Sequence, residues 1–390
     1  MTGEFRACPP AETYRNVKPH LARLGITRVA SQTGLDRLGV PVWCAFTPNA
    51  KAVVIAQGKG LDDEQAKVSA VMEAVERVVA TEPGCRLMRA TAADLEASGR
   101  RFDKLDILIA SHQRPLGKHE AISWIEADDL VTGGRIYLPF DAVDFDRTRL
   151  SPRYWQSSDG LASGNNRHEA ILHGLLERVE CDALALWSVT AAGRRFSRRI
   201  DTRRVASAVV GDLLARVERA GLQLSLLDIT TDLGIPCVAA LLAPQELDCG
   251  LRHVELTLGA GAALRPEGAI IRAILEAVQS RMTFIAGARD DLLPSLFEKA
   301  AEPAHLQAFH AVPAVFAANM PEFHAGDTTE ALAATIRQLS ARGTTDLFAV
   351  DLGHDWLPAS VFKVFAPQLE HPDGARRQRF GPRALSRSLQ

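Results

Sequence analysis

Along this chain, stretches whose apolar residues recur at helical spacing alternate with short apolar runs bounded by glycine, proline and asparagine. Residues 11–24 read as a first helix. Residues 28–46, interrupted at Thr33-Gly34 and Val40-Pro41, read as short extended pieces separated by turns. The run AVVIA at 52–56 predicts a buried strand that Gln57-Gly58-Lys59-Gly60 breaks, and a helix follows over 62–80. Segments 107–110, 121–126 and 135–138 are strand-like, with Thr132-Gly133-Gly134 as the hairpin turn between the last two. A glycine-rich turn at 160–166 leads into a helix reaching Trp187. A basic linker at 194–204, a helix at 207–220 and strands at 223–229 and 237–242 come next. Another strand (252–258), glycine turn and helix (266–284) follow, then a helix at 328–342 and strands at 347–351 and 360–365. The alternation implies an α/β (α+β) protein with a central sheet flanked by helices. Residues 1–50 read as a helix and irregular segment packed on a main domain at 51–372. The arginine-rich tail at 373–390 lacks periodicity and is expected to be poorly ordered or a docking arm.

The helix after Gly160 breaks the usual pattern. Glu169, His173, Glu177 and Glu180 fall within about a quarter turn of one another at ~100° per residue. Leu172, Leu176, Val179, Leu184 and Trp187 share or adjoin that sector. Carboxylates crowded among large apolar side chains repel one another and resist desolvation unless a cation neutralises them. Two other helices share the template: Ser69-x3-Glu73-x2-Glu76-Arg77 and Arg272-x3-Glu276-x2-Gln279-Ser280 correspond to His173-x3-Glu177-x2-Glu180-Cys181. Gly60 precedes Glu73 by the same number of residues as Gly164 precedes Glu177, as a degenerate internal repeat would require. On the first helix, Ser69, Glu73, Glu76 and Arg77 lie opposite Val68, Val71, Val75 and Val79, which by itself describes a solvated face. Glu-x-x-Glu pairs suit hard cations with oxygen ligands, and so many carboxylates on two helices suggest more than one Mg²⁺ bridging a triphosphate. Lys59, between two glycines, offers a phosphate contact, although the full phosphate-loop pattern is absent. Arg281 falls near the apolar side of the third helix, where it either snorkels or pairs with a buried anion. Arg289-Asp290-Asp291 reads as a loop ion-pair cluster.

Composition narrows the field without deciding it. The chain has 390 residues, 47% apolar and 24% charged, with a net charge of −2, the figures of a soluble globular protein with no global field for nucleic acid or anionic membrane. Neither a secretory signal nor an apolar run long enough to span a bilayer is recognisable, so a cytoplasmic location is expected. Six cysteines (Cys8, Cys44, Cys85, Cys181, Cys237, Cys249) show no CxxC pair and read as free thiols.

QGKG (57–60), the Ser69–Arg77 pattern, GLASGN (160–165) and EAILHGLLERVECDAL (169–184) resemble the YcaO family of ATP-dependent peptide-modifying enzymes. GITRVASQTGLDRLGVPVWCAFTPNA (25–50), EAVQSRMTFIAGARDDLL (276–293) and VFKVFAPQLE (361–370) look like the subgroup whose partner is a TfuA-type protein. The resemblance covers nearly the whole chain. It implies a YcaO fold, often dimeric, that binds ATP and Mg²⁺, phosphorylates a backbone amide oxygen and lets a nucleophile attack the carbonyl carbon. Sulfide would give a thioamide, and a neighbouring Cys, Ser or Thr an azoline. An amine would give an amidine. The resemblance places metal-binding glutamates at Glu73, Glu76, Glu169, Glu177 and Glu180. Glu177, Glu180 and Arg281 then stand nearest the chemistry. Nucleotide contacts fall on Ser69, Asn165, Lys59 and Arg281, with Arg6 and Thr13 from the N-terminal segment. Two departures stand out. Cys181 occupies the place of an arginine that helps hold the triphosphate, which leaves a catalytically weak peptide- or partner-binding protein as a further reading. The proline-rich PxPxP ending of many azoline-forming members is not seen, which favours an external nucleophile.

Overall fold

The computed structural model describes residues 5–247 and 250–389, so Cys249 lies outside the described residues. Strands β1 (Arg28–Ser31), β2 (Val42–Phe46) and β3 (Ile55–Lys59) form an antiparallel sheet in that order. β4 (Leu87–Ala90), β5 (Ile122–Asp129), β6 (Arg135–Pro139) and β7 (Leu161–Gly164) begin a second sheet. β8 (Leu222–Asp228), β9 (Cys237–Pro244) and β10 (Thr257–Ala262) make an antiparallel third. The last strands, β11 (Phe348–Asp351) and β12 (Ser360–Phe365), return to the second sheet and lie between β5 and β7 in the order β4-β5-β11-β12-β7, with β6 on β5. Distant parts of the chain therefore close one six-stranded sheet.

Three long helices, Asp63–Thr81, Arg167–Val189 and Pro266–Ala286, each follow a strand directly: β3, β7 and β10. The mixed helix-and-sheet class is as expected, and the three template helices sit in equivalent strand–helix units. Each strand carries a glycine pressed on its helix. A Cβ at Gly58 would lie 2.0 Å from the Ala70 nitrogen, at Gly164 2.6 Å from the Ala170 nitrogen and at Gly261 2.5 Å from the Ala269 oxygen. Only glycine permits that approach.

This close packing also explains where the expected boundaries move. Gln57-Gly58-Lys59 does not break a strand; it is the end of β3, which begins at Ile55 rather than Ala52. Gln57 is buried there, because its amide donates to Gln32 at 2.8 Å and its carbonyl accepts from Thr283. The expected turn at 160–166 contains β7, paired with β12 from Leu161↔Lys363 to Gly164↔Ser360. Residues 107–110 form only a short 3₁₀ turn and isolated bridges to Tyr154 and Arg376. The strand expected at 252–258 begins at Thr257, after a 3₁₀ turn. The first helix ends at Val17 and tightens to 3₁₀ geometry around Pro19, which has no N–H to continue the ladder. Instead of a poorly ordered tail, the described residues 373–389 pack on the fold: Arg376 is buried, and Pro382–Ser388 is helical.

The helix Arg167–Val189 is surrounded. Ile171, Leu172, Leu175, Leu176 and Val179 belong to the largest core cluster, with residues of β9, β12 and the helix Thr328–Ala341. Asn166 caps its N-terminus by accepting from the Glu169 N–H at 3.0 Å. His173, Glu177 and Glu180 retain partial accessibility on an otherwise largely enclosed helix.

Candidate active site

The acids crowded among leucines lie where the first two long helices meet the strands that launch the second and third. Glu76 accepts from the Ser163 N–H and hydroxyl at 2.8 and 2.7 Å, so the first helix is tied to the strand that launches the second. Glu177 accepts from the Gly160 N–H at 3.1 Å and Glu180 from the Ala262 N–H at 3.2 Å. Each carboxylate thus accepts from a backbone N–H at or beside a strand. All three keep some accessible surface although protein encloses them on most sides. Burial, then repulsion from Glu73, outweighs the Ser163 bonds and raises Glu76 to about 7. Burial, then Glu276, raises Glu180 to about 7. Burial, then Asp159, Glu180 and Glu76, holds Glu177 well above the carboxylate range. Three carboxyl groups that resist ionisation beside one another form an environment a divalent cation would relieve.

Glu169 is buried and fully engaged. Its oxygens accept from Arg6 Nη1 at 2.8 Å, the Ala7 N–H at 3.2 Å and the Asn165 N–H and side chain at 3.2 and 3.0 Å. Thr13 donates to Asn165 Oδ1 at 2.8 Å, and Arg6 Nη1 also lies 3.0 Å from His173 Nδ1. The structure therefore brings Arg6, Thr13, Asn165, Glu169 and His173 together. Burial, then Arg6 and Arg272, keeps the His173 imidazole neutral. Glu73 pairs with Arg77 and accepts from the Gln57 N–H at 3.3 Å. Ser69 is half-buried one turn before it.

The third helix joins through a residue outside the expected metal set: Glu276 pairs with Lys59 and adds to the field at Glu180. Gln279 donates to the Gln57 carbonyl at 2.6 Å. Arg281 pairs with a buried anion rather than snorkelling. Its Nε and Nη2 reach Asp36 at 2.8 and 3.3 Å, and Asp36 is 6% exposed. Arg289 pairs with Asp291 at 2.6 Å, as the loop cluster predicts, and also feels the charge of Glu73.

Sequence reasoning missed the group behind Glu177. Lys363 is buried and donates to the Ser157 carbonyl at 2.6 Å. Burial, offset by Asp159 and Glu177, lowers it to about 8. Burial pushes Asp159 upward, but His371, Arg178 and Lys363 outweigh it and hold the carboxyl well below its ordinary value. The lone lysine in VFKVF was the available signal, since a charge inside an alternating apolar strand needs a buried partner. Cys181 is 7% exposed; burial, then Asp159, pushes its thiol well up, so it is a neutral neighbour of this group.

Glu73, Glu76, Glu177 and Glu180, half-buried and repelling one another, form an all-oxygen set that fits hard cations in charge and chemistry, whereas both oxygens of Glu169 are already taken by Arg6, Ala7 and Asn165. Among the described residues no three His, Cys, Asp or Glu side chains already converge as a metal cage.

Residues 57–370 match the family model for YcaO cyclodehydratases, described as ATP- and Mg²⁺-binding. A relative from Rhizobium leguminosarum bv. trifolii, named as an uncharacterised protein in the tfuA 3′ region, is 37% identical over 98% of this chain and 92% of its own. Among solved structures, YcaO from Methanopyrus kandleri bound with AMPPCP and Mg²⁺ superposes with a TM-score of 0.74 at 23% identity, covering 94% of this chain and 92% of that one. A heterocyclase in complex with substrate and cofactor gives 0.76 at 22% identity, covering 94% of this chain and 53% of that one. At these identities the structural likeness is one of fold.

Proposed function

This chain belongs to the YcaO family, and from that premise we propose that it is an ATP- and Mg²⁺-dependent enzyme that activates a peptide backbone amide for attack by sulfide, giving a thioamide, in the cytoplasm and with a TfuA-type partner protein. The observation that carries the nucleotide part is the meeting of Glu76, Glu177 and Glu180 from two helices, each with one oxygen anchored on a backbone N–H. The thioamide and partner assignments rest on the relative from the tfuA 3′ region.

Mg–ATP, when bound, supplies the phosphoryl group that turns an amide oxygen into a leaving group. The chain's residues do the rest. Glu73, Glu76, Glu177 and Glu180 would hold the cations, with Glu177 and Glu180 central, and Glu169 would join them only by releasing Arg6 and Ala7. Ser69 and Asn165 contact the nucleotide, and Thr13 keeps Asn165 oriented. Lys59 and Arg6 supply positive charge beside the phosphates, for which each must loosen its present partner, Glu276 and Glu169 respectively. Arg281 can join them only by leaving Asp36.

The test incubates the chain with a TfuA-type partner, candidate peptide, ATP, Mg²⁺ and sulfide. The expected product carries a mass gain matching oxygen-to-sulfur exchange. No such gain with the correct peptide present refutes the thioamide assignment. The cyclodehydratase description of the family model supports a second reading, azoline formation, which a loss of one water independent of sulfide would identify.

A further inference from the structure

Arg178 and Asp182 lie one turn apart on the side of the glutamate helix turned away from Glu177 and Glu180, and both are buried. Each is gripped by the C-terminal segment. Arg178 Nη2 donates to the Glu370 carbonyl at 2.7 Å, while the Glu370 N–H donates to Asp182 Oδ1 at 2.9 Å. The Glu370 carboxylate accepts the N–H groups of Gly381 and Ala384, both at 2.8 Å, and so caps the helix Pro382–Ser388 from outside it. That helix carries Arg383, whose guanidinium forks over Asp182 at 2.8 and 2.9 Å and over Asp232 at 3.1 and 2.6 Å. A parallel connection runs to the other side of Glu177. Asp159 precedes the glycine whose N–H holds Glu177, and its Oδ2 lies 3.7 Å from Arg178 Nη1 and 3.6 Å from His371 Nδ1.

We propose that the segment from Glu370 to Ser388 is a positioning clamp, in which Arg383 and Glu370, acting on Asp182 and Arg178, set the rotation of the glutamate helix that brings Glu177 and Glu180 to the Gly160 and Ala262 amides. Asp182 has no exposed side-chain surface, so its charge demands a fixed cation, and Arg383 supplies it from a helix that Glu370 caps. The bidentate fork fixes orientation as well as charge, which an amine cannot reproduce. Arg383 and Glu370 are positioning residues; neither is assigned a contact with nucleotide.

The inference rests on the proposed Mg–ATP site but is testable apart from it. Arg383→Ala, Arg383→Lys and the milder Asp232→Asn are made in the full chain. Amide exchange is followed over residues 167–189, and Mn²⁺–ATP binding is measured by electron paramagnetic resonance. Arg383→Ala should speed exchange around Glu177–Ala183 and raise the dissociation constant at least ten-fold. Lysine should recover part of both effects, and Asp232→Asn should give a smaller shift in the same order. Faster exchange with unchanged Mn²⁺–ATP affinity would reduce the segment to a structural brace and overturn the proposal, as would unchanged exchange in Arg383→Ala. Wild-type chain that binds no Mn²⁺–ATP would refute the nucleotide site itself, and the exchange comparison would still decide whether the clamp holds the helix.

Discussion

Gly160 holds Glu177 through its N–H, and replacing it with alanine probes how tightly that anchor is built. The residue has φ +73°, and a Cβ there would stand 2.3 Å from the Val364 carbonyl oxygen. Gly133 has nearly the same φ, +72°, with nothing near its Cβ. Both alanine variants face left-handed strain of about 1–2 kcal/mol, and both gain the same small benefit from a less flexible unfolded chain. Gly160→Ala must also displace β12 backbone, disturbing the 2.8 Å bond from the Val364 N–H to the Gly160 carbonyl, which adds overpacking of about 1–3 kcal/mol and a weakened hydrogen bond of about 1 kcal/mol. The expected losses are about 1 kcal/mol for Gly133→Ala and about 3–5 kcal/mol for Gly160→Ala. Urea unfolding followed by tryptophan fluorescence measures both, and their difference removes the shared strain. Equal losses would refute the claim that the Gly160 backbone is wedged against β12.

Three further outcomes follow from named groups. Burial, then Arg178, holds His371 down to about 3, so its folded value lies below its unfolded one. The unfolded chain takes up the proton first as pH falls; this contribution is neutral above about pH 6.5 and destabilises by about 1.4 kcal/mol per pH unit between there and pH 3. His371→Asn should therefore flatten the acid limb of a stability–pH curve, and an unchanged limb would count against it. Glu180→Gln should stabilise the metal-free protein at pH 8 by about 1–3 kcal/mol, since it removes a carboxylate that resists ionisation, while weakening Mg²⁺-dependent nucleotide binding. Denaturation and calorimetry on the same sample check both halves. Leu172→Ala should cost about 2–5 kcal/mol by thermal or urea unfolding, as a cavity in the main core does; a loss under 1 kcal/mol would show that the helix is not enclosed there.

The enclosure of the glutamate helix was legible because its chemistry was in conflict with its pattern. Glutamates at helical spacing among leucines made no sense on a surface, and the structure places that helix in the middle of the molecule. β12 lies where its alternation predicts, at Ser360–Phe365. The errors share a cause. Gly58 was read as a strand break and Gly164 as part of a turn, whereas both are places where a strand lies directly on a helix, a tertiary contact invisible in local periodicity; Gly160 is a turn residue, as read. The arginine-rich tail read as poorly ordered or a docking arm because the partners of Arg376 and Arg383, the His371 carbonyl and Asp182, lie inside the fold, out of reach of local periodicity. Lys59–Glu276 and Arg281–Asp36 pair residues more than half the chain apart, and no spacing rule reaches across that distance.

The central claim is that two glutamate helices form one Mg²⁺-dependent nucleotide site. Titration calorimetry of a non-hydrolysable ATP analogue, with and without Mg²⁺, into the wild-type chain and into folded Glu177→Ala tests it directly. Saturable binding that requires Mg²⁺ in the wild type and disappears in Glu177→Ala is the predicted result. Equal binding by both proteins, or binding indifferent to Mg²⁺, would contradict the account.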